Sequence, residues 1–254
     1  MPTAAPAIIM VMSLAVTTVS RVMPLLTPLS LLRLQSWLSP AFPIGSYSYS
    51  HGLEWAVEAE FVTDQASLIE WLEADLCHGS GWNETIFFTE ASRSTAAQDA
   101  ASLGEIAALA AAYRGTSELA LEASQQAASC LATLLAVWPD PFLETFSGWL
   151  KDCSIPPTLS VLMAVRAAGE GIPADLALPA FLQSYVANLA TAGVRLIPLG
   201  QIGGQRTVAA LEKAILSVCE RSRTATVEDL GSAAFMVDLA SAGHETQYTR
   251  LFRS

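Results

Sequence analysis

Residues 177–189 read Ala177-Leu178-Pro179-Ala180-Phe181-Leu182-Gln183-Ser184-Tyr185-Val186-Ala187-Asn188-Leu189. Leu178, Phe181 with Leu182, Tyr185 and Leu189 recur every three or four positions, the spacing that gathers side chains on one face of an α-helix. A strand would alternate instead. Gly169-Glu170-Gly171-Ile172-Pro173 precedes this stripe, which ends near Arg195, and Pro198-Leu199-Gly200 turns the chain after it. Val208, Leu211, Ile215 and Val218 then make a second stripe, through a helix expected to be about 17 residues long.

The same period extends upstream. Thr27-Pro28 opens a helix, with proline at the first position where its missing N–H costs nothing, and Leu31, Leu34 and Leu38 form its stripe. Ser39-Pro40-Ala41-Phe42-Pro43-Ile44-Gly45 stops it, because two prolines and a glycine cannot continue a helix. A short helix then runs to about Glu60. Thr63 and Asp64 cap the next, which carries Leu68, Leu72 and Leu76 and ends at Gly79 and Gly81. Helices are expected over 82–97, 100–113 and 117–138, then after Pro139-Asp140-Pro141 and after Ile155-Pro156-Pro157. A last one is expected over 227–240. No alternating segment of useful length and no internal repeat interrupts this pattern. The fold class expected is all-α, a single compact domain of about ten helices in a helical bundle. That domain spans 27–243, with 1–26 and 244–254 as appended segments.

Hydrophobic residues make up 52% and charged residues 15%, against about 25% charged in an average soluble domain. That leaves apolar surface for an oligomer or a complex. The net charge is −11 and no Lys/Arg-rich block occurs, which argues against nucleic acid as a partner, since phosphate binding needs concentrated basic charge. Cys77, Cys130, Cys153 and Cys219 are far apart and form no CxxC pair, so reduced thiols and a cytoplasmic location are expected. Residues 1–20 hold no charge, and Ala7 to Val16 is a short apolar run. It lacks the positive start of a signal peptide and falls short of the roughly 20 apolar residues of a membrane helix. A misassigned start, with Met23 as the true one, or a disordered extension is the reading taken; a membrane or export segment and a folded helix are its alternatives.

No segment reads as a catalytic constellation. Ser46 to Ser50 beside His51 lack the G-x-S-x-G elbow and the strand it needs. Cys77 and His78 are adjacent on a helix and point about 100° apart. His244-Glu245 has no second histidine at zinc-protease spacing. Gly200-Gln201-Ile202-Gly203-Gly204-Gln205-Arg206 lacks GxxxxGKS, and its glycines read as a turn before a helix. For a metal, His51 and His244 are weak candidates, each able to meet its own copy near a two-fold axis. The last eleven residues, from His244 to Ser254, carry Tyr248, Leu251 and Phe252 between Arg250 and Arg253. Aromatic residues and arginine are what interfaces use as anchors, so this end either packs on its own domain or awaits a partner.

Three segments together resemble the UreF family of urease accessory proteins. Ser39-Pro40 through Pro43, Gly45, Tyr47, Ser50, His51, Gly52, Leu53 and Glu54 is similar to that family's SPxxPxGxxxxSxGLE signature. Val194-Arg195-Leu196-Ile197-Pro198-Leu199-Gly200-Gln201, continuing to Gly204-Gln205, is similar to VRxxPLGQxxGQ. His244-Glu245-Thr246-Gln247-Tyr248-Thr249-Arg250-Leu251-Phe252-Arg253-Ser254 is similar to HETQYxRLFRS. The resemblance covers residues 30–254 and implies an all-helical homodimer without an enzymatic activity of its own. It implies UreD (UreH) as a partner, the GTPase UreG through it, and nickel delivery into apo-urease. Nickel would be in transit and GTP would sit on UreG only. It places His244, Glu245, Gln247, Tyr248, Arg250, Leu251, Phe252 and Arg253 in partner binding, with the tail becoming ordered on docking. It places Pro43, Gly45, Tyr47, Ser50, His51 and Glu54 near the dimer and partner surface. Ala242-Gly243 stands where the family commonly has a basic residue before the histidine. The alternative from physics alone is a helical regulator of a GTPase, with Arg195, Arg206 or Arg250 as a finger on the phosphate.

Overall fold

The computed structural model describes residues 26–254; the sequence readings for 1–25 lie outside them. Among these residues there are eleven α-helices, two 3-10 turns and no strand. The helices are α1 (Pro28–Trp37), α2 (Leu53–Glu58), α3 (Gln65–His78), α4 (Ser80–Ala97), α5 (Ala100–Ala112) and α6 (Ser117–Val137). They continue as α7 (Pro141–Asp152), α8 (Leu159–Gly169), α9 (Ala174–Leu196), α10 (Gly200–Ser222) and α11 (Phe235–His244).

Local chemistry sets these boundaries. Thr27 accepts from the Ser30 N–H at the start of α1, and Asp64 and Ser67 form a reciprocal capping box on α3. Asp99, Thr116 and Asp140 cap α5, α6 and α7 in the same way. Each cap occupies an N–H that the helix itself leaves without a partner. The core forms around α4, which packs against α3, α5, α8, α9 and α10. Ile86, Phe87 and Phe88 of α4 are buried with Leu68 and Leu76 of α3, Leu162 of α8 and Leu182 of α9. Each such side chain contributes roughly 1.5–3 kcal/mol.

The expected stripes of α9 and α10 bury, with Leu178, Phe181, Leu182 and Leu189 on α9, Tyr185 half-buried beside them, and Val208, Leu211, Ile215 and Val218 on α10. Of the α1 stripe Leu34 is buried and Leu38 half-buried, but Leu31 is exposed. Two expectations are corrected. The glycine-rich segment is not a turn ahead of a shorter helix: Gly200 begins α10, and Gly203 and Gly204 lie inside it. A Cβ on Gly204 would stand 2.6 Å from Val194 Cγ2, so its absence lets α10 lie close against the end of α9. The last expected helix does not cover 227–240. Thr226 and Asp229 form a capping box on a 3-10 turn, Val227–Asp229, and α11 begins only at Phe235. Between them the backbone bonds to other helices: Gly231 N–H donates to Asn83 Oδ1 and Ala233 N–H to the His78 carbonyl.

Candidate functional site: a clamped C-terminal segment

The three signature segments, far apart in sequence, meet at one place. The first forms a 3-10 turn, Ser46–Ser48, entered through Gly45 in the left-handed region, and then α2, entered through Gly52 in the same region. Gly52 is required twice. Its φ is +79°, where a side chain is strained, and a Cβ there would lie 2.7 Å from the Ser241 nitrogen of α11. Gly243 makes the second close approach, with its Cβ position 2.5 Å from Trp55. Backbone thus meets backbone and ring where α11 crosses α2, which delivers His244 and the tail onto the first segment.

Glu54 is the centre of the arrangement. Its buried carboxylate accepts the Leu251 N–H at 2.6 Å and the Phe252 N–H at 2.8 Å, and faces His244 Nε2 at 3.3 Å. The other ring nitrogen, Nδ1, lies 2.6 Å from Glu118 Oε2 on α6. His244 is fully buried, with a carboxylate oxygen facing each ring nitrogen. The Arg250 guanidinium pairs with the same Glu118 carboxylate. Glu245 reaches the exposed N-terminus of α6, accepting from Ser117 N, Ser117 Oγ and Glu118 N. Those bonds, the Ser117 hydroxyl foremost, hold its carboxyl below the usual range, and a negative group there also suits the helix dipole.

The tail tip is seated as firmly. Phe252 is 4% exposed, with the Arg195 guanidinium 4.2 Å from its ring centroid, and the same guanidinium donates to the Tyr47 carbonyl. Arg253 N–H donates to the Ser48 carbonyl, and its guanidinium lies 5.7 Å over Tyr49. Ser50 donates from both its N–H and its hydroxyl to the Ser254 carbonyl, and Ser254 Oγ donates to Glu122. Glu122 also stands 3.5 Å from His51 Nδ1, an ion pair and not a formed hydrogen bond, since neither His51 nitrogen has a hydrogen-bond partner. Burial opposes charge on His51, but Glu122, with Asp75 and Glu84 beyond it, outweighs burial and pushes its pKa up to about 9. The buried Glu122 carboxyl is lowered despite its desolvation, by His51, Ser254 and Gln126. Beside this floor lies a cavity of about 480 Å³, with Leu31, Leu34 and Ile44 on its wall and His51, Glu84 and Glu122 among its charged residues.

So the segment expected to order on docking is packed against its own domain in this structure. Phe252 and Ser254 are spent inward, whereas Tyr248 is fully exposed and Leu251 is 58% exposed. Gln247 bonds to Glu58. Of the second signature only Arg195 reaches the tail; Pro198, Gly200, Gln201, Gly204 and Gln205 belong to the α9–α10 turn and the start of α10. Pro43 and Gly45 are exposed beside Tyr47 on the loop before α2. Among the described residues no group of three or more His, Cys, Asp and Glu could hold a metal ion. His51 lies against Glu122, and His244 against Glu54 and Glu118. Glu118 and Glu122 are the functional residues that the sequence reading missed. They are two acids four apart in an alanine-rich helix, with no local mark of their task.

Fold and site define an all-helical protein organised around a C-terminal segment locked to its own surface by carboxylates, with aromatic and leucine side chains left outward. A family model described as UreF matches residues 62–212. Urease accessory protein UreF of Rhodopseudomonas palustris (strain BisB5) is 45% identical over 225 residues, covering 89% of this chain and 91% of that one. The protein of the same name in Bradyrhizobium diazoefficiens is also 45% identical, covering 89% and 92%; that of Xanthobacter autotrophicus is 44% identical over 227 residues, covering 89% and 92%. The chain belongs to the UreF family of urease accessory proteins.

Proposed function

We propose that this chain is a non-catalytic subunit of a cytoplasmic urease-maturation assembly. It acts as a two-fold homodimer that docks UreD (UreH) and, through it, the GTPase UreG, so that nickel enters apo-urease. Nickel passes in transit, and GTP is bound and hydrolysed on UreG. Among the described residues no helix is long and apolar enough to cross a membrane.

The observation that carries this reading is the division of labour in the C-terminal segment. Its backbone, Phe252 and Ser254 are consumed in holding it to α2, α6 and the 3-10 turn. Tyr248 and Leu251 face outward, and α11 leaves Phe235 75% exposed with Met236 and Leu239 also open. Apolar groups in that number, on one helix and the segment that follows it, mark an interaction surface, and tyrosine is a preferred anchor there. The test is urease activation in cells that lack their own UreF. This chain, co-expressed with the remaining maturation proteins, restores nickel-loaded, active urease. Nickel content and activity that stay at the level of the deletion strain overturn the proposal.

The regulator reading is narrowed by the same geometry. Arg195 is committed to Tyr47 and Phe252, and Arg250 to Glu118. Arg206 is exposed on α10 and is the remaining arginine that could reach a phosphate.

A further inference from the structure

The outer face of α10 takes no part in the tail clamp, whose partners lie on α2, α6, the 3-10 turn and the end of α9. Ile202, Ala209 and Leu216 recur there at intervals of seven, all exposed, Ile202 to 71% and Leu216 to 61%. Intervals of seven keep side chains on one line of a helix, and from Ile202 to Leu216 that line is about 21 Å long. Arg206 and Lys213, also seven apart and exposed, form one edge of it. Their condition is unusual in this molecule. Among the described residues every other Lys and Arg except Lys151 has an ion pair, a side-chain hydrogen bond or an aromatic ring. Residues 1–25 contain no Asp or Glu that could supply a missing ion pair.

We infer that this face of α10 is a second docking surface, for an acidic amphipathic helix of another protein in the maturation assembly. The inference rests on the complex-subunit reading above and adds a partner surface to it. Ile202 and Leu216 give the seam its apolar ends, and Ala209 between them lets a helix backbone approach closely. The two unpaired cations, in a chain of net charge −11, fix the sign of the flank that meets them: aspartate or glutamate spaced a heptad apart, as at the edges of paired helices. Nucleic acid and anionic lipid do not fit, because Glu212 and Glu220 share the exposed side of the helix and two cations neutralise too few phosphates.

The experiment uses the full chain with Ala209 replaced by the photo-cross-linking residue p-benzoylphenylalanine, co-expressed with the urease maturation proteins and irradiated as the purified assembly. Mass spectrometry is expected to find the label joined to a helical peptide of a different polypeptide with acidic residues along one edge. R206E/K213E is expected to cut that yield at least about tenfold, as loss of two charge contacts would, while the thermal midpoint stays in place. An assembly that forms but yields no cross-link, a cross-link to α10 of a second copy, or a yield indifferent to charge reversal overturns the inference and leaves the proposed function standing. Failure of the unlabelled chain to co-purify with any maturation protein overturns both.

Discussion

Glu54→Gln is the most informative single change to the clamp. The carboxylate serves two backbone donors of the tail, at 2.6 and 2.8 Å, and stands 3.3 Å from His244 Nε2. A glutamine of the same shape keeps one acceptor oxygen and turns an NH2 group towards the remaining donor. Hydrogen bonds to charged groups contribute about 1.5–3 kcal/mol each, and a buried donor left without a partner costs a similar amount. Loss of one such bond therefore destabilises the docked tail by about 2 kcal/mol, roughly a 30-fold change in the population released. Amide hydrogen exchange reads this directly, because the tail can open without global unfolding. The Leu251, Phe252 and Arg253 amides are expected to exchange about 30-fold faster in the variant, with the amides of α4 unchanged. Acceleration below about threefold, or an equal acceleration in tail and α4, would refute the view that Glu54 holds a separately releasable segment.

Three other changes probe the buried histidine, the α2–α11 crossing and the exposed arginine of α10. The pKa of His51 is raised from 6.5 to about 9, so its stabilisation is fully present below pH 6.5 and is lost as the pH climbs through 9, on the order of 3 kcal/mol in all. Urea midpoints measured across that range should fall for the wild type, and His51→Gln should flatten the alkaline limb. Gly243→Ala places a methyl 2.5 Å from Trp55 and should lower stability by about 1–3 kcal/mol, whereas Gly115→Ala, with nothing within 4 Å, should shift it by no more than about 0.5. Arg206→Ala should leave single-turnover GTP hydrolysis by the cognate GTPase nearly unchanged; a loss of about 10³-fold would make Arg206 an arginine finger and favour the regulator reading.

The helical stripes were legible because burial follows the period. Leu178, Phe181 and Leu182 had to share a face, and proline and glycine marked most ends. The start of α10 was misplaced because glycine signals a turn locally, whereas Gly204 admits Val194 of α9, a contact between helices. The end before α11 was misplaced for a related reason: the Gly231 and Ala233 N–H groups donate to Asn83 of α4 and His78 of α3, which periodicity does not register. At the site, the signatures supplied Glu54, Arg195 and His244 but not their pairing. Glu118 and Glu122 lie 126 residues or more from the side chains of the tail that they bind, and nothing local distinguishes them from solvent-facing acids. The inward use of Phe252 was equally invisible, since an aromatic anchor has the same composition whether it faces a partner or its own core.

The central claim is that the docked segment presents Tyr248 and Leu251 to a partner while its other residues hold it in place. Y248A/L251A removes two outward side chains and none of the clamp's side-chain hydrogen bonds, ion pairs or ring contacts. Co-purification of the tagged variant with UreD and UreG, with its thermal midpoint as control, tests the claim most directly. The account predicts an unchanged midpoint and at least about a tenfold loss of captured UreD, the size of effect that two interface anchors carry. Full capture of UreD by the variant, with the fold intact, would contradict it.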